Sequence, residues 1–431
     1  MNDTLENDDM TFFPTPHGMN RRHFLSHLAG SSAMAISALS LTRSITAQAA
    51  TLNQNHKSCI LLWMGGGPPT IDIWDMKPGQ ATGGQFKPIS TTGEGQITEL
   101  LPKVAQQMHH LSIVRSMSTR EADHERGRYY MHTGFVPNPN VEHPSYGSVI
   151  AHELENDLRD LEIPPFVSID GGTQGPGFLG MAYAPFQVNS NGQVRNAKAN
   201  IPDARWKDRL QLLGMLEKRF ERENRGPAAG EHAKVLEGTV SLLTSKQLEA
   251  FKVRSEPEKV LASYGDSGFG RGCLMARRLV ETGVPFVEVN LGGWDLHQNC
   301  FEGQQRKLPE VDQAMSALVE DLATRGLLDN TVVLWMGEFG RTPRINAEAG
   351  RDHWARSWSM VIGGGGIVGG KVIGATGADG TRVTTEPYSS EDLMSTVCQA
   401  MGISLNKSFT ASNGRPMKIA GGGKVIGELF V

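Results

Sequence analysis

Short apolar strands alternate with amphipathic helices in the second half of the chain, and this alternation limits the possible folds more than any other feature. Residues 284–290 and 331–336 have the composition of buried strands. Residues 273–280, 309–322 and 390–401 carry apolar side chains at helical spacing. The pattern predicts an α/β fold, with a mainly parallel central sheet and helices on both faces. Ligands bind beyond the carboxyl ends of strands in such sheets, so the functional residues are expected in those loops.

The rest of the chain extends this plan. Further strands are predicted at 59–64, 111–114, 165–169 and 358–362. Residues 203–262 change character and show apolar residues at helical spacing, which predicts a helical insertion at one edge of the sheet. Residues 50–431 are therefore expected to form one α/β domain, with this insertion at its side.

The N-terminus has the order of features expected of a twin-arginine signal peptide. Arg21 and Arg22 precede an uncharged apolar stretch over 28–41, and Ala47-Gln48-Ala49 supplies a small-x-small cleavage site. Removal of residues 1–49 would leave a periplasmic or extracellular protein. The alternative is a short uncleaved amphipathic N-terminus. That export route carries folded proteins, often with their cofactor bound, which favours a metal loaded before export.

Charge and cysteine content exclude several classes. The net charge of −4 gives no reason to expect binding to nucleic acid or to anionic membranes. No stretch of the mature chain is long and apolar enough to span a membrane. The four cysteines form no CxxC pair, so a thiolate zinc site is excluded and buried free thiols are expected.

Metal-ligand residue types follow three of the predicted strands. Asp72 follows the first strand, Asp295 and His297 follow strand 284–290, and Glu338 follows strand 331–336. His353 comes a short loop later. Mixed carboxylate and imidazole ligands suit zinc, manganese or a similar divalent ion. The alternative for Asp295 and His297 is a turn aspartate with a surface histidine.

Three more residues are candidates for the same cleft. His124 lies in a loop rich in ligand types, and the alternative for it is a structural role. Arg341 follows Glu338 closely, and its guanidinium suits a phosphate or sulfate oxyanion as well as an ion pair with a nearby acid. Thr70 is the candidate nucleophile. The Gly363–Gly366 run is not a nucleotide-binding fingerprint, and no GxSxG motif is present.

Four stretches of this chain occur together in one known family. GGGPPTIDIWDMKP, GGWDLHQN, EFGRTPRIN and GRDHW follow in the order seen in the domain-of-unknown-function 1501 family, which this chain resembles over essentially its whole mature length. The family is grouped with the alkaline phosphatase-like superfamily, which also contains sulfatases. The resemblance implies one or two metal ions, held by Asp295, His297, Glu338 and His353. The superfamily's first strand ends in a metal-binding Asp; here Gly65–Gly67 occupy that place, and Asp72 is the candidate substitute.

Two functions follow as expectations. The first is an exported metal-dependent hydrolase of phosphate or sulfate esters, acting on a small-molecule or polysaccharide substrate, with Thr70 and Arg341 as catalytic residues. The second is a non-catalytic, metal-stabilised binding or scaffold protein of the envelope. A sugar-recognition module that uses the tryptophans is a further alternative.

Overall fold

An eight-stranded sheet organises the computed structural model, which describes residues 56–158, 160–193, 203–223 and 228–431. The predicted signal peptide lies outside the described residues. The strands of the sheet are β1 (Ser58–Trp63), β4 (Leu111–Met117), β5 (Phe166–Ile169), β6 (Phe186–Val188), β7 (Phe286–Asn290), β8 (Thr331–Met336), β11 (Trp358–Gly363) and β12 (Val372–Ile373). Three ribbons stand apart from it: β2 (Pro88–Ser90) with β3 (Gln96–Thr98), β9 (Gly340–Arg341) with β10 (His353–Trp354), and β13 (Ser408–Thr410) with β14 (Pro416–Lys418).

The sheet is mainly parallel, as predicted. Its strand order is β12-β4-β11-β8-β1-β7-β5-β6. β1 lies at the centre and pairs in parallel with β7 and β8, and β5 continues the parallel run beyond β7. β11 runs antiparallel to both of its neighbours, β8 and β4. The carboxyl ends of β1, β7 and β8 therefore lie side by side at one edge of the sheet.

Helices cover both faces of the sheet. They are α1 (Thr70–Ile73), α2 (Pro102–Gln107), α3 (His124–Thr133), α4 (Tyr146–Glu153), α5 (Asp203–Arg222), α6 (Ala228–Thr244), α7 (Glu258–Tyr264), α8 (Gly268–Thr282), α9 (Cys300–Thr324) and α10 (Ser390–Ala400). Alternate residues of β1 serve two cores. Leu62 belongs to the core that contains α8 and α9, and Leu61 to the core that contains α4 and α10. Each such side chain contributes about 1.5–3 kcal/mol by burial.

Several element boundaries differ from the predictions, and two of these differences have a clear physical cause. The helix predicted to begin at Pro309 begins at Cys300 and contains that proline in its interior. An interior proline costs about 3 kcal/mol, but buried Leu308 and Val311 continue the packed face across it. The strand predicted from Val284 begins at Phe286, because the Val284 N–H caps α8 by donating to the Leu279 carbonyl.

Other predictions can be compared directly. α5 and α6 fall within the range predicted to be helical, and α7 begins within it and ends two residues beyond it. All four cysteines are buried and unpaired, as predicted. Among the described residues, none of the helices combines the length and the hydropathy that a membrane-spanning segment requires.

Candidate metal centre

Side chains from four separate segments meet at the carboxyl edge of the sheet. Asp295 and His297 follow β7, and Glu338 follows β8. His353 opens β10, which pairs with β9 directly after Glu338. His124 is the first residue of α3, where the Asp123 side chain caps the helix by accepting from the Arg126 N–H. The segments are far apart in sequence and become neighbours because parallel strands end at the same edge.

Three imidazole rings surround one carboxylate oxygen. Asp295 Oδ1 lies 3.2 Å from Nε2 of His124, 3.0 Å from Nε2 of His297 and 3.3 Å from Nε2 of His353. The Nε2 atoms of His297 and His353 are 3.0 Å apart. Neutral imidazoles cannot both donate across such a contact, so either a shared proton or a cation is needed between them.

Each ring is held through its other nitrogen. Nδ1 of His124 contacts Glu338 Oε1 at 2.7 Å, and Nδ1 of His297 contacts Asp352 Oδ1 at 2.8 Å. Nδ1 of His353 contacts the Ala122 carbonyl at 2.7 Å. All three partners are acceptors, so each Nδ1 donates, and in a neutral ring this leaves the lone pair on Nε2. This is the arrangement by which second-layer acceptors orient metal-binding histidines.

The dimensions of the cluster fit a divalent ion. Bonds of 2.0–2.2 Å in a tetrahedral site place the ligand atoms about 3.3–3.6 Å apart, and the four contacts above, at 3.0–3.3 Å, lie close to the lower end of that range. Nε2 of His124 is buried, and its approach to Asp295 lacks hydrogen-bond geometry, so it has no hydrogen-bond partner. Three of the four side chains, His124, Asp295 and His353, have ligand atoms that all lie within 4.8 Å of one another. His297 stands outside that group, although its Nε2 is 3.0 Å from both Asp295 and His353.

Arg341 joins Asp295 to the surrounding loops through its hydrogen bonds. Its side chain is 1% exposed, and it donates to the carbonyls of Gly66, Gly67 and Arg351 and to Asp295 Oδ1, the last at 2.5 Å. Burial raises the pKa of Asp295, but the hydrogen bond and charge of Arg341, together with the neighbouring His124, outweigh burial and hold that pKa well below its usual range. Of the two roles open to Arg341 from the sequence, its position is that of an ion-pair partner.

The glycines after β1 bring two loops into contact. Gly66 has φ of +111°, and a Cβ there would lie 2.5 Å from the Asp295 amide nitrogen. The Gly66 N–H donates to Glu338 Oε1 at 2.9 Å. A side chain at Gly66 would therefore clash with the loop that carries Asp295. The backbone of this loop supports the ligand cluster.

Asp72 and Thr70, two other candidates, contact residues outside the ligand cluster. The Asp72 carboxylate accepts two hydrogen bonds from the Arg351 guanidinium, at 2.6 and 2.8 Å, and both side chains are fully buried. It also accepts a hydrogen bond from the Gln304 side-chain amide. Thr70 is 2% exposed, and its hydroxyl accepts from the Ser359 N–H at 3.1 Å. The sequence offered no signal for Arg351 as the partner of Asp72, because the two are 279 positions apart.

A cavity of about 270 Å³ adjoins the cluster. Its lining includes Trp63, Gly65, Glu125, Arg128, Asp295 and Glu338. Glu338 is 4% exposed, and its Oε2 is buried without a hydrogen-bond partner. Sequence reasoning missed Arg128, although its position four residues after His124 on a helix places both on one face.

Comparisons with known proteins give one family and a set of remote structures. A family model described as "Protein of unknown function (DUF1501)" matches residues 56–430. A search of curated proteins found no match.

The solved structures similar to this chain include sulfatases and other hydrolases. PsFucS1 sulfatase from Pseudoalteromonas sp. is 13% identical, with 83% of this chain and 72% of that one covered and a TM-score of 0.37. Phosphonate monoester hydrolase SpPMH from Silicibacter pomeroyi is 11% identical, with 87% and 77% covered and a TM-score of 0.38. A protein in the alkaline phosphatase superfamily from Vibrio parahaemolyticus is 11% identical, with 86% and 69% covered and a TM-score of 0.33. No residue role transfers at these values.

Proposed function

The chain belongs to the DUF1501 family of proteins of unknown function, and we propose that it is a metal-dependent hydrolase of phosphate or sulfate esters. The observation that carries this proposal is the convergence of three imidazole Nε2 atoms on Asp295 Oδ1 at 3.0–3.3 Å. His124, His297, His353 and Asp295 would hold one divalent ion. Their nitrogen-rich set favours zinc, with manganese as the second choice.

The bound ion would supply a Lewis acid for the ester oxyanion. The protein residues then have defined tasks. Glu338 lines the cavity and holds His124 through Oε1, and its Oε2, which has no hydrogen-bond partner, would accept a proton from the attacking water. Overall, the water oxygen bonds to phosphorus or sulfur, the ester bond breaks, and the alcohol leaves with a proton. Arg341 positions Asp295 and does not contact the substrate.

Water is the proposed nucleophile because Thr70 is buried and its hydroxyl is engaged with Ser359. The same observation favours the second candidate function, a non-catalytic metal-stabilised protein of the envelope. Asp72 is assigned a structural role in either case, since both of its oxygens contact Arg351.

Metal analysis together with a substrate panel tests the proposal. Purified wild-type protein should contain one equivalent of zinc or manganese and hydrolyse at least one aryl phosphate or sulfate. His297→Ala and His353→Ala should lose the metal and the activity. His152→Ala is the matched control, because His152 also has a carboxylate partner, Glu153 at 3.0 Å, but lies outside the cluster.

The outcomes separate the two functions. Stoichiometric metal without hydrolysis of any ester would favour the non-catalytic candidate. Equal, substoichiometric metal in all four proteins would show that the histidines are not ligands. Glu338→Gln should retain metal and lose about 100- to 10,000-fold in kcat, the usual contribution of a positioned proton acceptor.

Export by the twin-arginine route is part of the same proposal. The paired arginines, apolar stretch and cleavage site of residues 1–49 support it. Replacement of Arg21 and Arg22 by lysine should retain the unprocessed chain in the cytoplasm. Normal processing of that variant to a periplasmic or secreted form would contradict the assignment.

A further inference from the structure

An arginine without an ion-pair partner among the described residues lines the cavity beside the ligand cluster. Arg128 lies one helical turn after His124 on α3 and is partly exposed. Its neighbour Arg126 is paired with Glu121 at 2.7 Å. Within the part of the chain that the structure describes, Arg128 makes no ion pair. A guanidinium in this position is suited to two of the oxygens of a tetrahedral oxyanion.

A second donor in the same cavity lacks an acceptor. The side chain of Trp63 is 1% exposed, and its indole Nε1 has no hydrogen-bond partner. The indole nitrogens of Trp74, Trp294 and Trp335 are also unpaired, but Trp63 alone among these four tryptophans lines this cavity, where a ligand oxygen can supply the acceptor that buried donors normally have. The ring packs against His132 with centroids 4.1 Å apart. A side chain at Gly65 would place its Cβ 3.3 Å from Nε1, and glycine leaves that approach open.

The charged groups that line the cavity add up to one positive charge once a divalent ion is bound; Asp352 lies outside this lining, on the Nδ1 side of His297. Asp295 is compensated by Arg341 at 2.5 Å. Glu125 and Glu338 contribute two negative charges, and Arg128 and the ion contribute three positive charges. A ligand with a single negative charge neutralises this site. A doubly charged ligand leaves an excess negative charge beside two carboxylates, which opposes its binding.

We infer that Arg128 and the Trp63 indole N–H form the oxyanion subsite, and that the substrates are singly charged esters. This inference rests on the proposed function and narrows its substrate class. Sulfate monoesters and phosphodiesters carry one charge. Phosphate monoesters carry nearly two at neutral pH, since their second pKa is about 6, and are disfavoured. The cavity of about 270 Å³ accommodates the oxyanion and a small part of the alcohol.

Equilibrium binding of two inert probes tests the subsite without catalysis. Methanesulfonate and methylphosphonate share a methyl group and three oxygens on a tetrahedral centre, but at pH 8.5 the second carries one more negative charge. Both are titrated calorimetrically into metal-loaded protein whose metal content is measured in the same sample. Wild-type protein should bind methanesulfonate more tightly than methylphosphonate.

The variants assign the effect to individual residues. Arg128→Ala should weaken methanesulfonate binding roughly 10- to 100-fold, as expected for loss of a charge-assisted hydrogen bond. Trp63→Phe keeps the ring, removes the N–H and should weaken binding about threefold to tenfold. Arg126→Ala is the matched control and should bind like wild type. Arg128→Lys should recover part of the affinity, which shows that the position tolerates substitution.

Each contrary result has a distinct meaning. Wild-type affinity in metal-loaded Arg128→Ala would overturn the subsite and leave the proposed hydrolase intact. Tighter binding of methylphosphonate than of methanesulfonate to wild type would overturn the assignment to singly charged esters. Absence of metal from the wild-type protein would contradict the proposed function, and this inference would fail with it.

Discussion

Asp72→Asn distinguishes a structural aspartate from a metal ligand. The Asp72 carboxylate and the Arg351 guanidinium are both fully buried, with contacts of 2.6 and 2.8 Å between them. Burial raises the pKa of Asp72, and the charge and hydrogen bonds of Arg351 oppose that rise. Asparagine has nearly the same volume, so the substitution removes the charge and leaves no cavity.

The cost of this substitution follows from the charge that remains. Arg351 keeps its hydrogen bonds to the carbonyls of Thr342, Pro343 and Thr82. It loses its counter-ion in a site without solvent. Breaking a buried ion pair by removal of one partner costs about 3–5 kcal/mol, a large part of the roughly 5–15 kcal/mol typical of a folded protein.

Equilibrium urea unfolding and metal analysis measure the two effects separately. The free energy of unfolding should fall by about 3–5 kcal/mol, while the metal content stays at the wild-type value. Asp266→Asn is the control, because Asp266 also pairs with arginines, Arg254 and Arg271, but its side chain is 80% exposed. Surface ion pairs contribute only about 0–1 kcal/mol to stability. The double substitution Asp72→Asn with Arg351→Met should recover most of the loss. Loss of metal without loss of stability would refute the structural assignment and restore Asp72 as a ligand.

Three further substitutions test the supports of the site and of the fold. Asp352→Asn should lower metal affinity about 10- to 100-fold by weakening the orientation of His297, measured by competition with a chelating dye. Gly66→Ala should destabilise the protein and lower metal occupancy, because the Cβ would lie 2.5 Å from the Asp295 amide nitrogen at a φ of +111°; unfolding and metal analysis check this. Burial raises the pKa of Glu256, but Arg277 and Arg278 outweigh burial and hold it below its ordinary 4.5. Its contribution to stability is therefore complete above pH 4.5 and lost as pH falls through the depressed pKa, and Glu256→Gln should flatten the fall of the urea midpoint below that pH.

For each of these three substitutions, one result would contradict the reasoning. Unchanged metal affinity in Asp352→Asn would show that its contact of 2.8 Å with His297 does not orient the ring. Wild-type stability of Gly66→Ala would mean that the two loops can separate. An unaltered acid slope in Glu256→Gln would assign that slope to other carboxylates.

The order of strands and helices could be predicted because it is encoded locally. The apolar runs of β7 and β8 and the helical stripe of α8 each lie within a few consecutive residues, and these elements were predicted closely. The boundaries that were missed depended on contacts outside the element. Pro309 signals a helix start in isolation, but the packed face of α9 continues through it.

The convergence of ligand-type residues at one edge of the sheet could also be predicted, and the contacts among them could not. Ligand-type residues after parallel strands must share one edge of the sheet, which is why residue type and position alone make Asp295, His297 and His353 candidates. Whether a carboxylate binds an ion or orients a histidine depends on differences of a few ångströms. Glu338 and Asp352 contact Nδ1 atoms at 2.7 and 2.8 Å, and the sequence holds no record of that distance.

The sequence by itself therefore determined the α/β class, the edge of the sheet and the chemistry of the candidate ligands. The tertiary structure decided which partners those side chains have. Arg351 reaches Asp72 across 279 positions, and Arg341 reaches Asp295 across 46. Pairings over such separations depend on how loops fold against one another, here on the close approach of Gly66 to the Asp295 backbone. Local patterns cannot specify them, because the energy that selects them is gained only when distant segments meet.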